Sequence, residues 1–244
     1  MARYLNVNTI INRAAVECGL LPSPDPVSDT NDSYVQMVGL LNSSGQELCE
    51  LNDWPILIKN YSITTAESDT GSYSLPDDFN YMIDQTGWDR SNRLPIGGPV
   101  SAQGWTWLEG RNLVSQTIYA SFRMLDGKID LFPSPPPKGL NLTFEYVSRS
   151  WLKEDGAETA LLSTIDAGSN ICMLDPLLSI KFLKLKFLQA KGLDYSAAAM
   201  EFDTLLSGRI GKSTGAEVLN ASNLSSGMRY ITPYGNTGDT NFGL

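Results

Sequence analysis

Two spacings of apolar residues alternate along this chain, and each predicts a different element. Near the N-terminus the period is helical. Ile11, Ala14, Ala15 and Cys18 fall on one face of a helix predicted over 8–18, with Asn8 or Thr9 able to cap its start and Gly19 its end. "LPSPDP" at 21–26 forbids helix, because proline lacks a donor and restricts the residue before it. A second helix is predicted over 33–52, striped by Tyr34, Met37, Val38, Leu41, Leu48 and Cys49 and weakened by Gly39 and Gly45.

At Trp54-Pro55 the period becomes two and stays so to about Trp151. "GWTWL" would place Trp105 and Trp107 on one face of a strand. "TIYASFRML" alternates Ile118, Ala120, Phe122 and Met124 against Tyr119, Ser121, Arg123 and Leu125. Asp126-Gly127 is a two-residue hairpin turn from which "KIDLF" returns. After "PSPPPKG", "LNLTFEYV" sets Leu140, Leu142, Phe144 and Tyr146 on one side. These strands predict an antiparallel sandwich or small barrel.

Residues 152–172 read as a polar connector. Asp175-Pro176 then starts a helix, as N-cap and first helical residue, and that helix ends at Gly192. Asp194 caps another, with Tyr195, Ala198, Ala199, Phe202, Leu205, Leu206 and Ile210 at helical spacing. Beyond Ser213 the chain is rich in Gly, Ser, Asn and Thr. The expected class is α+β: a four-helix bundle with an inserted antiparallel β-sandwich or barrel-like domain and an extended C-terminal tail. The parts are 1–54 (first half of the bundle), 55–152 (β domain), 153–212 (connector and second half) and 213–244 (arm).

Charge and composition narrow the chemistry. The net charge is −9, opposite in sign to the footprint of a protein that grips nucleic acid. There is no histidine, which removes Ser-His-Asp and Cys-His catalysis and His-ligated metals. Cys18, Cys49 and Cys172 each sit in an apolar helical pattern and read as buried free thiols, which suggests synthesis in a reducing compartment. "MARYLNVNTIINR" lacks the apolar core of a secretion signal, and no stretch has the roughly 18 apolar residues of a membrane span. Neither a cofactor nor a metal site is expected.

"GRIGKST" at 208–214 carries the G-K-[ST] half of a phosphate-binding loop, but the glycine required earlier is Leu206 and the stretch follows a helix. It reads as a helix end, with Gly211 the terminator. Asp77-Asp78 in "LPDDFNY" read as turn acids that solvate the turn or cap backbone donors. The tryptophans Trp54, Trp88, Trp105, Trp107 and Trp151 read as core, with a carbohydrate-binding surface as the alternative. Lys181, Lys184 and Lys191 share one side of the third bundle helix, as a solvated face or a contact for an acidic partner or passing DNA. Leu178, Phe182 and Leu185 mark an apolar face that a neighbouring subunit or a large single core could cover.

"LNDWPIL", "YSLPDDFNYMID", "LFPSPPPKGLNLTFEYVSRSWL" and "LDPLLSIKFLKLKFLQAKGLDY", in this order over roughly 1–212, resemble the head-to-tail adaptor (tail-tubular-A-like) proteins of short-tailed bacteriophages. The resemblance implies a non-enzymatic virion protein made in the host cytoplasm and placed in the neck. It would form a dodecameric ring below the portal that extends the DNA channel. Its implied partners are further copies of itself, the portal protein, the tail nozzle or tubular protein and tail fibre or spike proteins. Genomic DNA would pass without specific binding, and no membrane is involved. A nozzle, collar or tail-closure ring is the neighbouring alternative. The family's C-terminal segment often grips the portal, which makes Tyr230, Tyr234 and Phe242 candidate anchors in the arm.

Overall fold

In the computed structural model, which describes residues 4–66, 70–110, 121–156 and 161–213, the first helix is opened by Asn6. Its side chain accepts the Thr9 amide at 3.0 Å, starting α1 (Val7–Glu17) two residues before the earliest cap expected. The reason is tertiary. Strand β1 (Leu5–Asn6) is paired there, and the Asn170 and Gly168 carbonyls accept the Val7 and Asn8 amides at 2.8 and 3.0 Å. Those are the first-turn donors that a helix leaves without internal partners.

Asn31 caps α2 (Asp32–Leu51) by accepting from the Ser33 amide. The two glycines of this helix differ completely in surroundings. A Cβ on Gly39 would meet nothing within 4 Å, whereas one on Gly45 would lie 2.2 Å from the Trp151 indole. Gly39→Ala is therefore expected to stabilise the chain by about 0.5–1 kcal/mol, the intrinsic helix cost of glycine. A thermal melt that moved down would show an unsuspected packing role for this position.

Between the second and fourth helices lie β2 (Ile58–Thr64), β3 (Ser72–Ser74), β4 (Phe79–Met82), β5 (Trp88–Asp89), β6 (Leu94–Pro95), α3 (Ala102–Gly110), β7 (Ser121–Leu125), β8 (Lys128–Phe132) and β9 (Asn141–Ser148). All named strand pairs are antiparallel. The central strand is β9. It pairs with β2 along one edge and with β4 and β5 along the other, and β6 adds to β5. A separate sheet has the order β3-β8-β7. Its β7–β8 hairpin turns at Asp126 (φ 51°) and Gly127 (φ 66°), the left-handed pair that suits a two-residue turn. Both sheets feed one apolar cluster, with Ile63, Leu142, Phe144 and Tyr146 from the larger and Phe122, Ile129 and Leu131 from the smaller.

"GWTWL" is helix rather than strand. Ser101 accepts the Gly104 amide on its hydroxyl and the Trp105 amide on its carbonyl, which starts α3. On a helix, residues two apart point about 200° apart. Trp105 accordingly packs inward against Phe132 and under the Arg123 guanidinium, while Trp107 is 51% exposed. Ile118 and Ala120 lie outside the described residues.

The connector is also more structured than its polarity suggests. It contributes β10 (Leu152–Lys153), β11 (Leu161–Leu162) and β12 (Ile171–Cys172), which with β1 form a sheet of order β1-β12-β10-β11. Two-residue strands carry no readable period, and β1 comes from the far end of the chain. Cys172 is thus in a strand, not a helix. All three thiols are free, and burial pushes Cys49 up to about 12 and Cys172 up to about 11, while Cys18 is half-buried.

The last helices are α4 (Pro176–Ala190) and α5 (Ser196–Ser213). Asp175 caps α4 by accepting the Leu178 amide at 3.0 Å, and Gly192 (φ 68°) turns the chain after it. Asp194 accepts the Ser196 amide ahead of α5. α5 continues through Gly208 and Gly211 to Ser213, so Gly211 does not terminate it. Asn52 donates to the Ser213 hydroxyl and Arg209 pairs with Asp175, and these contacts hold the final turn. The described fold is mixed α and β, with five helices and antiparallel sheets, and α4 is packed against α1, α2 and α5.

Candidate assembly surface

Leu178, Phe182 and Leu185 do not face outward. They are 1%, 5% and 7% exposed inside the chain's own core, and Phe182 stacks on Phe202 of α5 at 4.4 Å. Of the two coverings the sequence allowed, the single large core accounts for them. The part of α4 left open is the stripe through Leu177, Lys181 and Lys184, an arc of about 60° by the helical repeat. Lys186 lies about 180° from Leu177 and pairs with Glu47 of α2 at 2.6 Å, so α2 packs on the far side of α4.

Lys181 and Lys184 are held within the chain. Lys181 reaches Glu17 of α1 at 2.9 Å and Glu201 of α5 at 3.3 Å, and Lys184 reaches the same carboxylates at 3.3 and 3.9 Å. Two cations on α4 thus tie α1 to α5. Burial pushes Glu17 up, but hydrogen bonds and charge from both lysines leave it below its ordinary value. These pairs are partly solvated, and each contributes less than about 1 kcal/mol. Lys191 is exposed, with its ammonium 5.3 Å over the Phe187 ring. Tyr230, Tyr234 and Phe242 lie outside the described residues.

Above the lysine stripe, α1 and α5 form the walls of an open cleft. It comprises a groove of about 840 Å³ between α4 and α5 and another of about 510 Å³ between α1 and α4, and both are lined by Leu177. Three large apolar side chains project here: Val16 (56% exposed), Leu177 (45%) and Met200 (72%). Gly208, Arg209 and Lys212 line one end from the last turns of α5, so Gly211-Lys212-Ser213 sits at a helix C-terminus and not at the strand-to-helix turn of a phosphate-binding loop.

The tryptophans divide by burial. Trp54, Trp105 and Trp151 are core at 8%, 3% and 1% exposure, and Trp105 and Trp107 share no face that could stack on a sugar. Among the described residues no cluster of three or more His, Cys, Asp or Glu could hold a metal, and no helix is long and apolar enough to cross a membrane. Sequence reasoning passed over the role of Asp78. Its carboxylate accepts from Lys59, from the Tyr146 hydroxyl at 3.0 Å and from the Ser148 hydroxyl at 2.6 Å, and its carbonyl accepts the Arg149 amide at 2.9 Å. Nothing in local spacing could announce partners about seventy residues away.

The described residues thus form a helical core with an open, partly apolar cleft and a separate β cluster. The model of the SU10 adaptor protein family matches residues 5–224. The chain belongs to that family, a phage head-to-tail adaptor family. No curated protein matches the chain.

Proposed function

We propose that this chain is a structural part of the virion neck, a ring of identical copies beneath the portal that extends the DNA channel and presents a platform to tail proteins. The family match over residues 5–224 carries this reading. Its role is mechanical rather than catalytic. In this reading the helices serve as a four-helix bundle and the β region as a sandwich-like insert, with portal and tail proteins as partners. A net charge of −9 suits a wall past which DNA must slide, since like charge opposes adhesion. Twelve copies, and an arm anchored through Tyr230, Tyr234 and Phe242, complete the proposal. The test is binding of the purified chain to isolated portal and, separately, to isolated tail proteins. Capture by portal without tail proteins is expected. Capture by tail proteins alone would move the chain to a nozzle or collar layer.

A further inference from the structure

Two unlike surfaces lie on opposite sides of α4. The first is the α1–α5 cleft, where Leu177 and Met200 are flanked by the basic Arg13, Arg209 and Lys212. Inside the cleft two lysines meet two glutamates, and Arg209 is paired with Asp175, so Arg13 and Lys212 leave an excess of positive charge in a chain of net −9.

The second surface is the outward face of α2. Asp32, Val35, Gly39, Ser43 and Glu50 fall within about 80° of arc and are all exposed. Acids stand at both ends, Val35 is 58% exposed, and Gly39 offers close backbone approach. The opposite face of α2, with Met37, Leu41 and Leu48, is buried in the core.

We infer that the outward face of α2 in one copy seats in the α1–α5 cleft of the next. The charges are opposite, both surfaces carry exposed apolar side chains, and they differ from each other. Contact between two different faces of the same chain is head-to-tail, and it closes as a ring when the rotation between copies allows. The acidic partner of the lysine-bearing cleft is then α2 of a neighbouring copy. This inference rests on the ring reading given above.

The test is disulfide trapping in assembled particles. Ser43→Cys and Thr204→Cys are introduced together in a Cys18→Ser background, with each single variant as control. Oxidation of the double variant is expected to give a ladder of SDS-resistant multimers beyond the dimer, and neither single variant should cross-link. Thr204→Cys dimers alone would mean cleft-to-cleft pairing and overturn the inference. Imaging of the same particles separates the two readings. A ring without a ladder overturns the α2-to-cleft contact alone, while particles holding the chain without a ring overturn the ring reading as well. Gly39→Gln is a second variant. It is expected to keep or raise the melting temperature of the isolated chain and lower incorporation at least tenfold; unchanged incorporation would contradict the docking.

Discussion

Gly45→Ala is expected to be among the most damaging single methyl groups that can be added to this chain. The new Cβ would lie 2.2 to 2.5 Å from three atoms of the Trp151 indole. Trp151 cannot retreat cheaply, because it is 1% exposed and its Nε1–H donates to the Ser163 carbonyl at 3.0 Å. Overpacking of this kind costs about 3 kcal/mol, which lowers the melting temperature of a chain of this size by roughly 10 °C. Trp151→Ala alone costs about 3–5 kcal/mol through the lost burial and the cavity left behind. Combining Gly45→Ala with Trp151→Leu should cost less than the sum of the separate changes, because a smaller side chain accepts the methyl. Thermal melts of Gly45→Ala, Trp151→Leu and the double variant decide. Strict additivity would show that the two positions do not share one packing constraint. Gly39→Ala in the same helix moves the other way, so the two glycines form an internal control.

Asp78→Ala is the second large effect. The substitution removes one acceptor from Lys59, Tyr146 and Ser148 together and loosens the turn before β4 from the central strand β9. Losing those hydrogen bonds costs roughly 2–3 kcal/mol, limited by the partial exposure of Asp78 and Lys59. The pH dependence follows from the same geometry. Burial pushes the carboxyl up, and the hydrogen bonds from Lys59, Ser148 and Tyr146 outweigh it, so its folded value lies below the ordinary one. A lowered carboxyl contributes stability that is present above its unfolded value, near pH 4, and is lost as pH falls through the folded value. Asp78→Asn should therefore be destabilised at neutral pH and show a flatter decline below about pH 4 than the parent chain. Parallel acid limbs in the two melting series would rule out this role for the carboxylate.

The helices were legible because their signals are local. Asp175-Pro176 and the spacing of Tyr34, Met37, Leu41 and Leu48 need only neighbouring residues to be read. The Asp126-Gly127 hairpin is of the same kind. Misreadings arose where distant contacts decide. Trp105 and Trp107 fit a period of two, but Ser101 and the packing of Trp105 on Phe132 fold that stretch as helix. The sheet that joins Leu5 and Asn6 to Ile171 and Cys172 has strands too short for any period. Gly211 looked like a terminator, and contacts from Asn52 and Asp175 carry the helix past it. At the candidate surface the lysines were visible on α4, but their partners Glu17 and Glu201 come from two other helices. The apolar face through Phe182 suited a subunit interface or a large single core, and its cover within the chain is α5.

Imaging of the intact particle would test whether this chain forms a neck ring. One layer of identical copies of this chain is expected, in a ring between portal and tail. Finding the chain outside the neck, or as an isolated copy without a ring, would contradict it.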